Sequence, residues 1–251
     1  MAGHSKWKQI KRQKGVADAR RGALFTKLGR EITMAVRQGG GPEPDTNPRL
    51  RLAVQKAREN NMPNEIIERA IAKAVGPSDA SQLEEVVYEG YAPGGAAVLV
   101  EAMTDNRNRT VGEVRNVFNR AGGNLGETGS VAWVFQTRGV ITVNLGGGTD
   151  ADEVALMAVD AGAEDFEVEE DVLSIYTKPE ELESVRRALE EGGVAVASSE
   201  IARVPSTTVR LEEKDAISTL RLLERLEELD DVQKVYSNAD FPDNVLAGFT
   251  A

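Results

Sequence analysis

The chain contains no cysteine in its 251 residues, one histidine and few aromatic side chains, which make up 5% of the sequence. The absence of cysteine excludes disulfides, thiol nucleophiles and the zinc or iron–sulfur sites that need thiolate ligands. The longest stretches without a charged residue, Gly90–Val100 and Gly139–Thr149, are eleven residues long, whereas a membrane-spanning helix needs about 20 apolar residues. These absences predict a cytoplasmic protein that does not span a membrane.

Residues that enzymes commonly use at catalytic sites are also scarce. The single histidine, His4, lies four residues from the N terminus, away from the rigid scaffold that a catalytic triad or a metal site needs. Neither GxGxxG nor GxxxxGK[ST] occurs, although Gly39–Gly41 and Gly146–Gly148 are rich in glycine. The sequence therefore predicts no catalytic residue, no metal site, no cofactor and a protein that is not an enzyme.

Charge is distributed very unevenly along the chain. Residues 1–75 contain 16 Lys/Arg and 7 Asp/Glu, whereas the remaining residues contain 14 and 34, so the net charges are +9 and −20. Electric fields decay over about 10 Å in ordinary salt, and a basic end can therefore attract a polyanion although the whole chain is acidic. This asymmetry indicates contact with nucleic acid or an anionic membrane, and the few bulky apolar residues in 1–21 favour nucleic acid.

Hydrophobic spacing predicts an α+β fold with several domains. Three helical patterns and no strand pattern precede residue 80, which predicts a basic arm plus a three-helix domain over residues 1–76. The later patterns predict two α/β domains of the ferredoxin-like type. A βαββαβ unit at 138–204 is expected to be inserted into a discontinuous middle domain, formed by 77–137 and 205–251.

Several individual strands follow from the same patterns. We expect a hairpin of Val86–Tyr91 with Ala96–Met103, and separate strands at Ser130–Gln136 and Val140–Leu145. Strands at Thr207–Leu211 and Val232–Tyr236 are then expected to complete the sheet that begins near residue 86.

The basic arm is the first candidate for a nucleic-acid-binding site. Its candidate residues are the cations of the first 30 positions and the tryptophan among them, namely Lys6, Trp7, Lys8, Lys11, Arg12, Lys14, Arg20, Arg21, Lys27 and Arg30. Each cation can neutralise a phosphate and release a counterion. The Trp7 ring could stack on an unpaired base or anchor the arm on the helical domain, and the charges could instead form a solvated tail.

A second basic cluster contains Arg107, Arg109, Arg115 and Arg120. Asp105-Asn106 can cap the helix that follows, so that Arg107 and Arg109 would project at its N-terminal end, where backbone N–H groups favour anions. We expect these two arginines to make a second phosphate contact. The alternative is that they form salt bridges with the acidic domains.

Several motifs in one order resemble the YebC family. They are Ala2-Gly3-His4-Ser5-Lys6-Trp7, Asp18-Ala19-Arg20-Arg21-Gly22, Asn47-Pro48-Arg49-Leu50-Arg51, Asn60-Asn61-Met62-Pro63, Tyr88-Glu89-Gly90-Tyr91-Ala92-Pro93-Gly94-Gly95, Thr104-Asp105-Asn106-Arg107-Asn108-Arg109-Thr110 and Gly122-Gly123-Asn124-Leu125-Gly126. The resemblance covers nearly the whole chain. It implies a cytoplasmic, non-enzymatic protein of three domains, the first helical and the other two α/β.

The resemblance implies a regulator of gene expression, in one of two forms. The family includes probable transcriptional regulators that bind DNA, and members that act in protein synthesis on the ribosome, where the partner would be ribosomal RNA. A third reading is an interaction scaffold whose acidic domains bind basic proteins of the ribosome or polymerase. Deleting residues 1–21 separates these readings, because only a scaffold should keep its partner.

Overall fold

The computed structural model describes residues 18–76, 83–146, 150–169 and 171–250, and its architecture is α+β. The helices in these residues are α1 Asp18–Gln38, α2 Pro48–Glu59, α3 Asn64–Val75, α4 Arg107–Ala121, α5 Ala151–Asp160, α6 Leu182–Glu191, α7 Glu213–Glu228 and α8 Asp243–Thr250. The strands are β1 Glu84–Tyr91, β2 Ala97–Thr104, β3 Asn124–Leu125, β4 Phe135–Asn144, β5 Asp165–Glu169, β6 Val172–Thr177, β7 Val196–Pro205, β8 Val209–Arg210, β9 Val232–Ser237 and β10 Ala239–Asp240.

The N-terminal region is helical, as the spacing of its apolar residues predicts. Leu28 and Ile32 of α1 pack against Leu50 and Val54 of α2 and Ile67 of α3 in a cluster of their own. The turn between α1 and α2 is fixed by Asn47, a fully buried residue. Its side-chain oxygen accepts from the Leu50 N–H at 3.0 Å, and its amide donates to the carbonyls of Ala35 and Gly41 at 2.8 Å each. One side chain thus ends α1 and starts α2.

The first sheet has the strand order β3–β1–β2–β9, and all its neighbours are antiparallel. Strand β9 follows α7 near the end of the chain, so the sheet joins segments from both sides of residues 138–204, as predicted. Helices α4 and α7 cover one face. Val98 and Val100 of β2 pack there against Phe118 of α4 and Leu220 and Leu223 of α7.

The second sheet has the order β5–β6–β4–β7, again with all neighbours antiparallel. The chain order β4, α5, β5, β6, α6, β7 confirms the predicted βαββαβ unit. Its helices cover one face over Ile141, Val143, Leu173 and Ile175. The opposite faces of the two sheets meet in an apolar cluster that contains Leu99, Phe135, Ala202 and Tyr236.

One strand prediction was wrong, because Ser130–Gln136 and Val140–Leu145 are not two strands. Ala132–Val134 is a 3-10 turn, and β4 is continuous from Phe135 to Asn144. Gly139 lies between the two predicted strands and belongs to the ladder. A Cβ atom there would collide with the Thr177 hydroxyl and lie 3.0 Å from the Leu182 side chain, so only glycine allows β4 to approach β6 this closely. Strand β4 runs across the predicted boundary between residues 137 and 138. The domain boundaries stay a prediction.

A second strand prediction holds only in part. Val232–Ser237 pairs with β2, but β8 pairs in parallel with β10 in a separate two-stranded sheet. The buried Asn238 turns the chain out of β9. Its side-chain oxygen accepts from the Ala97 N–H at 2.7 Å, and its carbonyl accepts from the Val209 N–H at 2.8 Å. The last helix, α8, was not predicted.

Candidate nucleic-acid interface

Only part of the predicted basic arm can be located. Lys6, Trp7, Lys8, Lys11, Arg12 and Lys14 lie outside the described residues, and for Arg20 only the helical backbone of α1 is described. Arg21, Lys27 and Arg30 lie on α1, and Arg107 and Arg109 lie on the first turn of α4. Phosphate binding by all these residues stays a prediction.

The fold brings two of the candidate cations together on one carboxylate, which the sequence did not identify. Arg30 Nη1 lies 2.9 Å from Asp231 Oδ1, and Arg109 Nη2 lies 2.7 Å from Asp231 Oδ2. The Asp231 side chain is only 3% exposed. The guanidinium groups of α1 and α4 are thereby joined through the short turn between α7 and β9.

Two hydroxyl groups complete the surroundings of Asp231. Thr104 and Thr110 donate to its Oδ2 at 3.1 and 2.6 Å. Desolvation alone would raise the pKa of Asp231. The hydrogen bonds from Arg109 and Thr110, the charge of Arg30 and the hydrogen bond from Thr104 outweigh it, so the pKa lies below its ordinary value. Asp231 is therefore a stable anion at neutral pH and holds both arginines in place.

The sequence around the start of α4 explains why Arg109 points to Asp231. Asn106 caps the helix, because its side-chain oxygen accepts from the Arg109 N–H at 3.0 Å, as the Asp105-Asn106 motif predicted. Arg109 also contacts Asp105 at 2.8 Å, and both carboxylates raise its pKa. Its side chain remains 43% exposed, so solvent reaches it while it is paired.

The remaining described candidates also contact polar groups of the protein. Arg107 Nε lies 3.7 Å from Glu84 Oε2, and both side chains are exposed. Lys27 donates to the Glu227 carbonyl and Arg30 to the Asp230 carbonyl, so that α1 is held on the end of α7. The salt-bridge alternative is therefore realised for Arg107 and Arg109.

A cavity of about 420 Å³ lies between the helical region and the two sheets. Five basic and six acidic side chains line it, and each basic one contacts a carboxylate. The pairs are Arg49–Glu85, Lys56–Glu31, Arg186–Glu183, Arg203–Glu101 and Lys234–Glu200. Because these charges neutralise one another, the cavity is a poor candidate for a phosphate pocket.

The described part of the chain offers neither a metal site nor a membrane-spanning helix. No group of three histidine, aspartate or glutamate residues there has an arrangement that could hold a metal ion. No described helix is both long enough and apolar enough to cross a membrane.

Family models match almost the whole chain. The model of the TACO1/YebC N-terminal domain matches residues 5–77, and that of the TACO1/YebC second and third domain matches residues 83–239.

Similar full-length proteins carry one common name. A probable transcriptional regulatory protein of Chloroflexus aurantiacus is 55% identical over all of both chains, and one of Thermomicrobium roseum is 56% identical over 98% of each. The crystal structure of a conserved hypothetical protein from Aquifex aeolicus is 50% identical, with a TM-score of 0.82, and the match covers 90% of this chain and 93% of that one. The chain therefore belongs to the TACO1/YebC family.

Proposed function

We propose that the protein is a cytoplasmic, non-enzymatic regulator of gene expression that binds nucleic acid. The observation that carries this proposal is the separation of charge, +9 in residues 1–75 and −20 in the rest. Relatives named probable transcriptional regulatory proteins support a regulatory role, with DNA as the first candidate partner. Electrostatic attraction to phosphates would supply most of the affinity.

The basic arm would make the main contact, because two of the described candidate cations are already engaged. Arg30 and Arg109 already bind Asp231, whereas residues 6–14 add five further positive charges. The acidic α/β domains would repel phosphates and so confine the nucleic acid to the basic end.

One observation favours a second candidate, a translation factor that contacts ribosomal RNA. The side chain of Trp133 is 74% exposed, and its ring N–H donates to the Ser130 carbonyl at 3.0 Å. Tyr91, which is also exposed, donates its hydroxyl to the same carbonyl at 2.9 Å. Exposed rings held in a fixed position can stack on unpaired bases, which RNA loops offer far more often than duplex DNA.

The test is cosedimentation with ribosomes across a salt series, beside duplex-DNA binding in the same buffers. The variant K6Q/K8Q/K11Q/R12Q/K14Q neutralises the arm. The matched control neutralises five exposed cations of the acidic domains, K178Q/R210Q/K214Q/R221Q/R225Q. We expect the arm variant to lose affinity and about 3.5 to 4.5 units of salt slope, at about 0.7 to 0.9 per phosphate contact, while the control changes little.

The pattern of retention identifies the partner. Sequence-dependent DNA binding without ribosome retention supports a transcriptional regulator, and the reverse supports a translation factor. If the wild-type protein binds neither, the proposed function is wrong. A partner that still binds after the arm has been neutralised would instead favour the interaction scaffold with acidic domains.

A further inference from the structure

Helices α4 and α7 lie side by side on the first sheet but carry opposite charge. They pack against each other and against β2 in one core, so both are half covered by the same domain. Helix α4 has four arginines and one glutamate, whereas α7 has five acidic and three basic residues. Helix α4 is therefore positively charged although residues 76–251 as a whole are strongly acidic.

The exposed side of α4 is polar, and its one acidic side chain, Glu113, lies at the edge of that side. Five of the exposed residues recur at intervals of four, three, one and three and so share one strip of the helix, which we name the α4 stripe: Asn108, Gly112, Arg115, Asn116 and Asn119. The stripe is about 16 Å long, at 1.5 Å per residue. The opposite side of the helix carries the buried residues Thr110, Val114 and Phe118.

The side chains of the stripe are available to a ligand. Arg115 and the neighbouring Arg120 form no hydrogen bond or ion pair with any residue that the structure describes, in contrast to Arg107 and Arg109. Asn116 and Asn119 are likewise exposed, and their amides can donate and accept. At Gly112 a Cβ atom would have no neighbour within 4 Å, so the middle of the stripe is open to close approach.

We propose that the α4 stripe is a binding surface for RNA. The proposal rests on the proposed function, nucleic-acid binding, and names a second contact and its partner. Amides outnumber cations on the stripe, which suits sugar hydroxyls and base edges better than phosphates alone. Helix α4 is flanked by α7 and backed by a sheet, so it offers a shallow surface. The wide, shallow minor groove of A-form RNA and its loops fit such a surface, whereas the B-DNA major groove favours a protruding helix.

The test compares binding of the full-length protein to a hairpin RNA and to a DNA hairpin of the same sequence across a salt series. The variant R115Q/R120Q should weaken RNA binding about tenfold and lower the salt slope by about 1 to 2. The control R221Q/R225Q removes two exposed arginines from α7, on the same sheet, and should bind like wild type. The variant N116A/N119A should weaken RNA binding more than DNA binding without changing the salt slope.

Gly112→Ala separates binding from folding. Alanine favours a helix over glycine, so this variant should have a higher melting temperature and yet bind RNA more weakly, because its methyl group fills the open part of the stripe. Gly29→Ala on α1, where a Cβ also meets nothing within 4 Å, should raise the melting temperature and leave RNA binding unchanged.

The outcomes distinguish a failure of the proposed function from a failure of the α4 stripe as the RNA-binding surface. If wild type binds neither hairpin, nucleic-acid binding itself fails. If wild type binds RNA and the stripe variants bind like wild type, the α4 stripe is not the surface. If the stripe variants lose DNA binding as strongly as RNA binding, the assignment to RNA is wrong.

Discussion

Two buried carboxylates, Asp231 and Glu89, accept hydrogen bonds from several donors inside the protein. Asp231 contacts two arginines and two threonines, and Glu89 accepts three backbone N–H groups from Gly129, Val131 and Ala132, each at 2.7 Å. A buried carboxylate is stable only when its partners replace the lost hydration. Both residues therefore behave as structural anions whose removal leaves several donors unpaired.

Asp231→Asn should lower the free energy of unfolding by about 2 to 3 kcal/mol, because the amide can accept only part of these hydrogen bonds. The pKa of Asp231 is depressed in the folded state, so its stabilisation is complete above the ordinary pKa of about 4 and is lost as pH falls through the folded pKa. Denaturant unfolding at several pH values should therefore show a flatter acid dependence for the variant.

Asp230→Asn is the matched control for Asp231→Asn. The Asp230 side chain is exposed, and this variant should remain within about 0.5 kcal/mol of wild type. Equal losses for the two variants would show that the ion pairs at Asp231 contribute nothing specific.

Glu89→Gln should loosen the loop that carries Trp133. Desolvation raises the pKa of Glu89, but the three backbone hydrogen bonds together outweigh desolvation. The pKa therefore lies below its ordinary value, and the group is ionised in the folded protein. The amide of glutamine would face an N–H donor, and we expect a loss of about 2 kcal/mol and faster hydrogen exchange at Gly129–Ala132. Glu127→Gln, an exposed change in the same loop, should alter neither.

At the scale of elements, the glycine in the middle of β4 decides how the second sheet closes. Gly139→Ala should cost about 1 to 3 kcal/mol, because its methyl group meets Thr177 and Leu182 across the sheet. A Cβ atom at Gly146, after the end of the same strand, would meet nothing within 4 Å, so Gly146→Ala should cost less than about 1 kcal/mol. Thermal unfolding of both variants checks this, and equal losses would contradict it.

Local patterns predicted most helices and strands but not the features that depend on partners distant in sequence. The βαββαβ order at 138–204 and the helical spacing of α1 follow from neighbouring residues, and both predictions were confirmed. The continuity of β4 through Gly139 was missed, because the need for glycine there comes from Thr177 on another strand. Thr207–Leu211 looked like part of the first sheet because Asn238, which redirects the chain, gives no local signal.

In the candidate site, too, the sequence indicated local features but not contacts between residues distant in sequence. The positive charge of α1 and α4 and the cap at Asn106 could be read from sequence, so Arg30 and Arg109 were singled out. Asp231 could not be identified, since it is one of 41 acidic residues and nothing near it in sequence distinguishes it. Whether a given arginine contacts a carboxylate or, like Arg115, has no partner among the described residues depends on the tertiary fold.

On the scale of the whole molecule, the helical region is attached differently from the two sheets. The sheets share an apolar cluster around Leu99 and Tyr236, whereas no buried apolar cluster in the described residues joins 18–76 to the rest. The attachment instead uses polar contacts such as Arg30–Asp231 and Arg49–Glu85. Exposed ion pairs such as Arg49–Glu85 are screened by salt, whereas apolar contacts are not.

Spin labels can test this difference, because the chain has no native cysteine. A label pair at E68C on α3 and R210C on β8 should show a broader distance distribution at 1 M salt, where screening acts within about 3 Å. A pair at K178C, after β6 of the second sheet, and R210C on β8 lies entirely outside the helical region, and its distance distribution should not change. Equal behaviour of both pairs would show that the helical region is held as firmly as the sheets are.

The sharing of Asp231 by Arg30 and Arg109 links ligand binding to protons. A phosphate that withdrew either arginine would leave the buried carboxylate with fewer positive neighbours, and its pKa would rise. Binding through these two arginines would then take up hydrogen ions, and its affinity would increase as the solution became more acidic. Calorimetric titrations in buffers of different ionisation enthalpy would detect that uptake, and would distinguish this route from binding by the arm alone.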